Sequence, residues 1–159
     1  MSGWTRQWTV FTLLLLTAHF LLHVTLGMGG LAPDLLTVAA LLGARRLPPA
    51  GGAALGFAIG LLADAFAVAG FGATALGLAL ACLGGALTRD FFEGESLMFN
   101  TVYLLAAGAL AMSVADLAAG RAGSQPVNVI FGAILGATYT AVAGTAVLAG
   151  YRHVAGMRV

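Results

Sequence analysis

The chain has 159 residues, enough for one domain, and it is 60% hydrophobic and only 8% charged, with a mean hydropathy of +0.99. A water-soluble domain carries about 25% charged residues, so this composition does not cover a water-facing surface and lipid is the expected solvent. The net charge of +1 creates no field that would draw nucleic acid.

Six apolar segments follow one another, and each is expected to be a membrane-spanning helix of an all-α bundle with both termini cytoplasmic. A bilayer core about 30 Å thick takes about 20 apolar residues in a helix. The first segment, residues 8–26, is longer than a signal-peptide core and is read as a retained helix, flanked by Trp4, Arg6 and Trp8. A glycine-rich break at 27–30 leads to the second, 31–44, which Arg45-Arg46-Leu47-Pro48-Pro49 stops. The third is 50–69 and ends at Gly70-Phe71-Gly72; the fourth is 73–88. The polar run from Arg89 to Ser96 precedes the fifth, 97–119, and a turn at 120–126 precedes the sixth, 127–151.

The second segment is the short one. With six spans, Arg6, Arg45, Arg46, Arg89, Arg152 and Arg158 fall on the inner side and only Arg121 on the outer. If the second segment does not cross, Arg6 moves outside as well. The bias of arginine toward the cytoplasm favours six spans.

Small residues recur every fourth position at Gly52, Gly56 and Gly60, at Gly77, Ala81 and Gly85, and at Gly132, Gly136, Thr140 and Gly144. Such stripes let helix backbones approach where lipid offers no hydrophobic reason to associate. They serve packing within the bundle or docking of a partner helix.

Charges inside a span need a reason. In the six-span arrangement His19, His23, Asp34, Asp64 and Asp116 all fall in the outer half and could form one polar cluster. Asp34 follows Pro33 at a helix start, where a carboxylate caps free N–H groups. Asp64 is expected to be a hydrogen-bonding group that asparagine could replace. A small-molecule or proton pathway and a metal site are the sharper readings of the cluster. His19-Phe20-Leu21-Leu22-His23 has two-histidine helical spacing, but Phe20 stands where a zinc protease has its glutamate. Ser2, Ser96, Ser113 and Ser124 lie in no G-x-S-x-G context, and no phosphate-binding loop occurs. No catalytic, cofactor or metal site is expected. The lone Cys82 reads as a small buried apolar residue.

One stretch, residues 31–72, carries a likeness: Leu31-Ala32-Pro33-Asp34-Leu35-Leu36, the pair Arg45-Arg46, then Gly52, Gly56-Phe57, Gly60-Leu61-Leu62, Asp64 and Gly70-Phe71-Gly72. In order and spacing it resembles the bacterial rod shape-determining protein MreD family. Cys82-Leu83 stands where an aromatic residue would be expected, and the last two helices carry no matching motif. The resemblance implies a non-catalytic scaffold in the cytoplasmic membrane that helps direct sidewall peptidoglycan synthesis and maintain cell shape. It implies an MreC-like partner and, through it, an MreB filament, a SEDS-type glycosyltransferase and a class B penicillin-binding protein, with no cofactor. Pro33, Asp34, Gly52, Gly56, Gly60 and Asp64 would then be structural or partner-facing. The alternative is the substrate-binding membrane subunit of an energy-coupling-factor vitamin transporter, which has a similar shape but needs an outer cavity with polar and aromatic groups.

Overall fold

A computed structural model describes residues 3–22, 33–66, 70–89, 96–121, 123 and 126–155, with the backbone alone at 3–8, 126, 154 and 155. Among them are six helices and no strand: α1 Gly3–Phe20, α2 Leu35–Ala44, α3 Pro49–Asp64, α4 Ala73–Thr88, α5 Leu97–Ala118 and α6 Pro126–Ala155. His23, the 27–30 break and the acids Asp90, Glu93 and Glu95 lie outside the described residues, as do the side chains of Trp4, Arg6 and Trp8.

Local chemistry sets the boundaries. Asp34 caps α2 by accepting the Thr37 N–H at 3.1 Å, so the helix starts four residues later than residue 31, where it was expected. Pro48 and Pro49 open α3, where the missing N–H groups do no harm. That helix stops at Asp64 rather than at 69. Ser96 caps α5 through the Phe99 N–H at 3.1 Å. At its far end Gly120, at φ 69°, closes the helix as Arg121 N–H donates to Asp116 O and Gly120 N–H to Leu117 O. Helix α6 runs one turn past residue 151.

The short helix α2 is the centre of the molecule. Nine of its ten residues are buried, and α1, α3, α4, α5 and α6 all pack on it. The outer helices form a ring in the order α3, α4, α5, α6, α1. Phe11 of α1 stacks on Tyr151 of α6 with centroids 4.6 Å apart, and Phe20 meets Phe66 beyond the end of α3 at 5.4 Å. Gly52 lies beside Ala86 and Gly60 beside Ala75, and Gly77 beside Ala111 and Gly85 beside Tyr103, so α3, α4 and α5 run in alternate directions.

Close packing comes from small residues on two faces of α4. Toward α3, an added Cβ at Gly56 would lie 2.8 Å from Cys82 Sγ, and one at Gly60 would lie 2.7 Å from the Ala75 nitrogen. Toward α5, Gly77 abuts the Ala111 carbonyl and Gly85 abuts the Tyr103 ring. The Gly52, Gly56 and Gly60 stripe thus faces α4 inside the molecule. Cys82 is fully buried. On α6, Gly144 meets Val38 and Leu104, whereas Gly132 faces open space.

The outside is apolar. Leu13, Leu80, Leu110, Leu117, Phe131 and Val142 all project outward, Leu117 at 63% and Phe131 at 61% exposure. Among the described residues, only α5 and α6 are long and apolar enough to cross a membrane by themselves. Helix α2, with 10 residues, rises about 15 Å at about 1.5 Å per residue. The 16 residues each of α3 and α4 rise about 24 Å by the same measure. Six full-length spans are therefore not what the helix lengths give.

Candidate functional site

Among the described residues, the two ends of the bundle differ in charge. One end carries Arg45, Arg46, Arg89 and Arg152. The other carries all the described acids, Asp34, Asp64 and Asp116, together with Arg121. That segregation follows from the alternating helix directions and brings most of the expected polar cluster to one end.

Asp64 is 1% exposed at the last turn of α3. Its Oδ2 accepts the N–H groups of Gly72 at 2.9 Å and Ala75 at 3.0 Å, and its Oδ1 accepts that of Thr74 at 3.2 Å. These are among the orphan donors at the start of α4. Gly72, the residue before that helix, has no side chain to cap it and sits at φ 90°. Asp64 supplies the cap from the preceding helix. The acid and the Gly70-Phe71-Gly72 turn are one device: the glycines, at φ 80° and 90°, turn the chain sharply enough to aim the first amides of α4 at the carboxylate.

Asp34 sits one helix away. Its Oδ1 accepts the Thr37 N–H and its Oδ2 the Thr37 hydroxyl, and His19 Nδ1 lies 3.8 Å from Oδ1. Asn caps as well as Asp, and removing the cap costs about 1 kcal/mol. Asp34→Asn is therefore expected to melt within a degree or two of the parent, and Asp34→Ala measurably lower, in thermal unfolding of detergent-solubilised protein. Equal melting of all three would show that α2 needs no cap.

Asp116, near the end of α5, pairs with Arg121 Nη1 at 3.3 Å. Asp34, Asp116 and Arg121 share a cavity of about 300 Å³ between α2, α4, α5 and α6. Thr37 and Thr74 also line it, with Leu78, Met112, Ala111 and Ala133 among its apolar lining residues. Asp64 lies behind it, spent on the α4 amides. The expected cluster is thus divided: Asp34 and Asp116 face one cavity, His19 stands beside Asp34, and Asp64 is a structural cap. Arg121 stood out in sequence only as the one outer arginine; its pairing with Asp116 was not legible, because a single arginine in a turn carries no pattern that names a partner. No grouping of three or more metal-ligating side chains occurs among the described residues.

The arginine end holds a second polar constellation. Arg45 Nη1 donates to Asn100 Oδ1 at 3.0 Å, and its guanidinium lies 4.8 Å from the Phe99 ring centre and 5.1 Å from that of Tyr103. The Tyr103 hydroxyl donates to the Leu41 carbonyl at 3.0 Å, and Arg89 Nη1 to the Leu47 carbonyl at 3.0 Å. These bonds tie the end of α2 and its loop to α4 and α5. The available signal was Asn100, the one amide inside the apolar α5 segment, buried to 3%. A mostly apolar cleft of about 480 Å³ opens beside this group, along Met98, Val102 and Ala106. Compared with known protein families, with characterised proteins and with solved structures, the chain matches none.

Proposed function

We propose that this chain is a non-catalytic scaffold of the bacterial cytoplasmic membrane, similar to MreD, that works with an MreC-like partner in sidewall peptidoglycan synthesis. The observation that carries the reading is the ordered motif of residues 31–72. It supports the reading because its pieces fit together as a unit. Asp34 caps the central helix. Arg45 ties the end of that helix to Asn100 of α5. The glycine stripe seats α3 on α4. Asp64 and the glycine turn fasten the hairpin.

On this reading the chain passes the bilayer six times, with the arginine end in the cytoplasm. The short α2 is compatible with that because protein surrounds it and caps satisfy its start. Local thinning or tilt accommodates α3 and α4. The apolar exterior favours lipid as the solvent, since soluble monomers rarely expose contiguous apolar patches above a few hundred Å². In a Cys82→Ala background, Phe71→Cys is expected to react with an impermeant maleimide in intact cells and Arg46→Cys only after lysis. Labelling of position 46 in intact cells would overturn the six-pass orientation.

The functional test is restoration of rod shape in cells lacking their own MreD-type protein, with membrane levels checked by blotting and the MreC-like protein recovered in pull-downs. Rods and co-purification are expected; round cells at normal membrane levels reject the scaffold role. One observation favours the transporter alternative, the cavity at the acidic end. Its described lining holds no aromatic residue, unlike the mixed lining expected of a vitamin site. Failure to restore rods, together with a small ligand co-purifying in mass spectra, would select that alternative.

A further inference from the structure

We infer that the tip of the α3–α4 hairpin is a lipid-binding anchor, with Phe66 and Phe71 set at the boundary between headgroups and acyl chains on the acidic side of the bundle. The inference rests on the membrane reading above and is independent of the scaffold role.

Composition comes first. Between Asp64 and Ala73 the chain reads Ala-Phe-Ala-Val-Ala-Gly-Phe-Gly, with no charged or hydrogen-bonding side chain. Every other connection between helices has polar side chains: His23 and Asp34, Arg45 and Arg46, the run from Arg89 to Ser96, and Arg121, Ser124 and Gln125. Water is a poor solvent for this tip, since Phe66 is 66% and Phe71 76% exposed. The backbone asks little of water either. The N–H groups of Gly72, Thr74 and Ala75 go to the Asp64 carboxylate, that of Ala73 to the Gly70 carbonyl and that of Leu76 to the Gly72 carbonyl. Every donor from Gly72 to Leu76 is thus satisfied within the protein, as backbone in a water-poor layer requires. Length and charge set the depth. Helices of 16 residues rise about 24 Å and do not carry the turn clear of a hydrocarbon core about 30 Å thick. Arg121 marks the level: a Cβ added at Gly70 would lie 3.8 Å from its Nη2, and a guanidinium keeps to the headgroup layer. Phe71 is the next residue, so its ring is within a side chain's reach of that layer, and an apolar ring settles on the acyl side of it. Phe71→Cys, whose shorter side chain ends in the hydrated layer, stays open to a water-borne maleimide.

The test places a single tryptophan at the tip, Phe71→Trp in a chain that also carries Trp4→Phe and Trp8→Phe. The comparison is Phe57→Trp, in the middle of α3. Both native side chains are exposed, Phe57 at 49%, so both proteins are expected to melt as the parent does. Each is reconstituted in vesicles of phosphatidylcholine brominated either near the headgroup or near the chain end. The Phe71→Trp protein is expected to emit to the blue of free tryptophan, to lose more emission to the shallow bromines than to the deep ones, and to resist aqueous iodide. The Phe57→Trp protein is expected to lose more to the deep bromines. Quenching of Phe71→Trp by iodide and not by lipid, with Phe57→Trp still quenched by lipid, would put the tip in water; the anchor would fall and the membrane reading would stand. Quenching of Phe71→Trp by neither would put a second copy of the chain over the tip and overturn the anchor. Stronger loss to the deep bromines in Phe71→Trp would sink the ring below the boundary and overturn its placement. If lipid bromines quench neither variant, the membrane reading itself fails, and the anchor with it.

Discussion

Asp64→Leu is expected to unfasten the α3–α4 hairpin and to lower stability by about 3 kcal/mol or more, the range seen when buried donors lose a charged acceptor. Three backbone N–H groups, those of Gly72, Thr74 and Ala75, point at this carboxylate. Leucine leaves all three without it at a buried position. Asparagine is not the neutral replacement that a single hydrogen bond would allow. Its one oxygen can take the pair that Oδ2 now holds, from Gly72 and Ala75, but its amide nitrogen then meets the Thr74 N–H, donor against donor. Asp64→Asn is expected to fall between the parent and leucine, about 1–2 kcal/mol down. Stability is read from unfolding in mixed micelles. Amide hydrogen exchange supplies the specific readout: faster exchange at 72, 74 and 75 in both variants, with the amides of α6 unchanged. Parent-like exchange at those three amides in Asp64→Leu would show that the cap does not hold the hairpin.

Much of the helix order was legible because glycine, proline and serine punctuate the chain. Helix α4 occupies the expected 73–88, and α5 ends one residue short of the expected 119. Gly72, Ser96 and Gly120 mark those limits by local backbone chemistry alone. The end of α3 was not legible. Residues 65–69 are apolar and continue the helical pattern to the glycine turn. What accompanies the helix end is tertiary and carries no local signal: Asp64 accepts from amides that lie 8 to 11 residues further on. The burial of α2 was hidden for a related reason. Apolar content measures how dry a helix is, and lipid and protein neighbours are equally dry, so a central helix and a lipid-facing one read alike. Within the candidate site, counting alternate ends placed Asp34 and Asp116 together, while the pairing of Arg121 needed the closing geometry of α5. The Arg45–Asn100 bond joins residues 55 apart, and neither carries a local pattern that names the other.

Gly60→Ala is expected to be among the most damaging single-methyl changes at the described glycines, and Gly60→Leu to cost about 3 kcal/mol or more, at or beyond the upper end of ordinary overpacking. An alanine Cβ at this position would lie 2.7 Å from the Ala75 nitrogen and 2.9 Å from the Thr74 carbonyl oxygen. Those atoms are helix backbone, so relief requires α3 and α4 to part. The same Ala75 N–H donates to Asp64 Oδ2 at 3.0 Å, and Gly60 lies one turn before Asp64 on the same helix. A single backbone amide of α4 therefore receives both devices: glycine lets it come close, and the carboxylate binds it once there. If so, the two substitutions remove one arrangement and their costs are not additive. Gly60→Leu combined with Asp64→Leu is expected to lose clearly less stability than the sum of the single losses. Gly84→Ala is the control. An added Cβ there meets nothing within 4 Å, and alanine is the better helix former by about 1 kcal/mol, so this variant is expected to match or exceed the parent. Parent-like unfolding of Gly60→Ala, or strict additivity in the double variant, would mean that α3 and α4 are held together by something other than this shared amide.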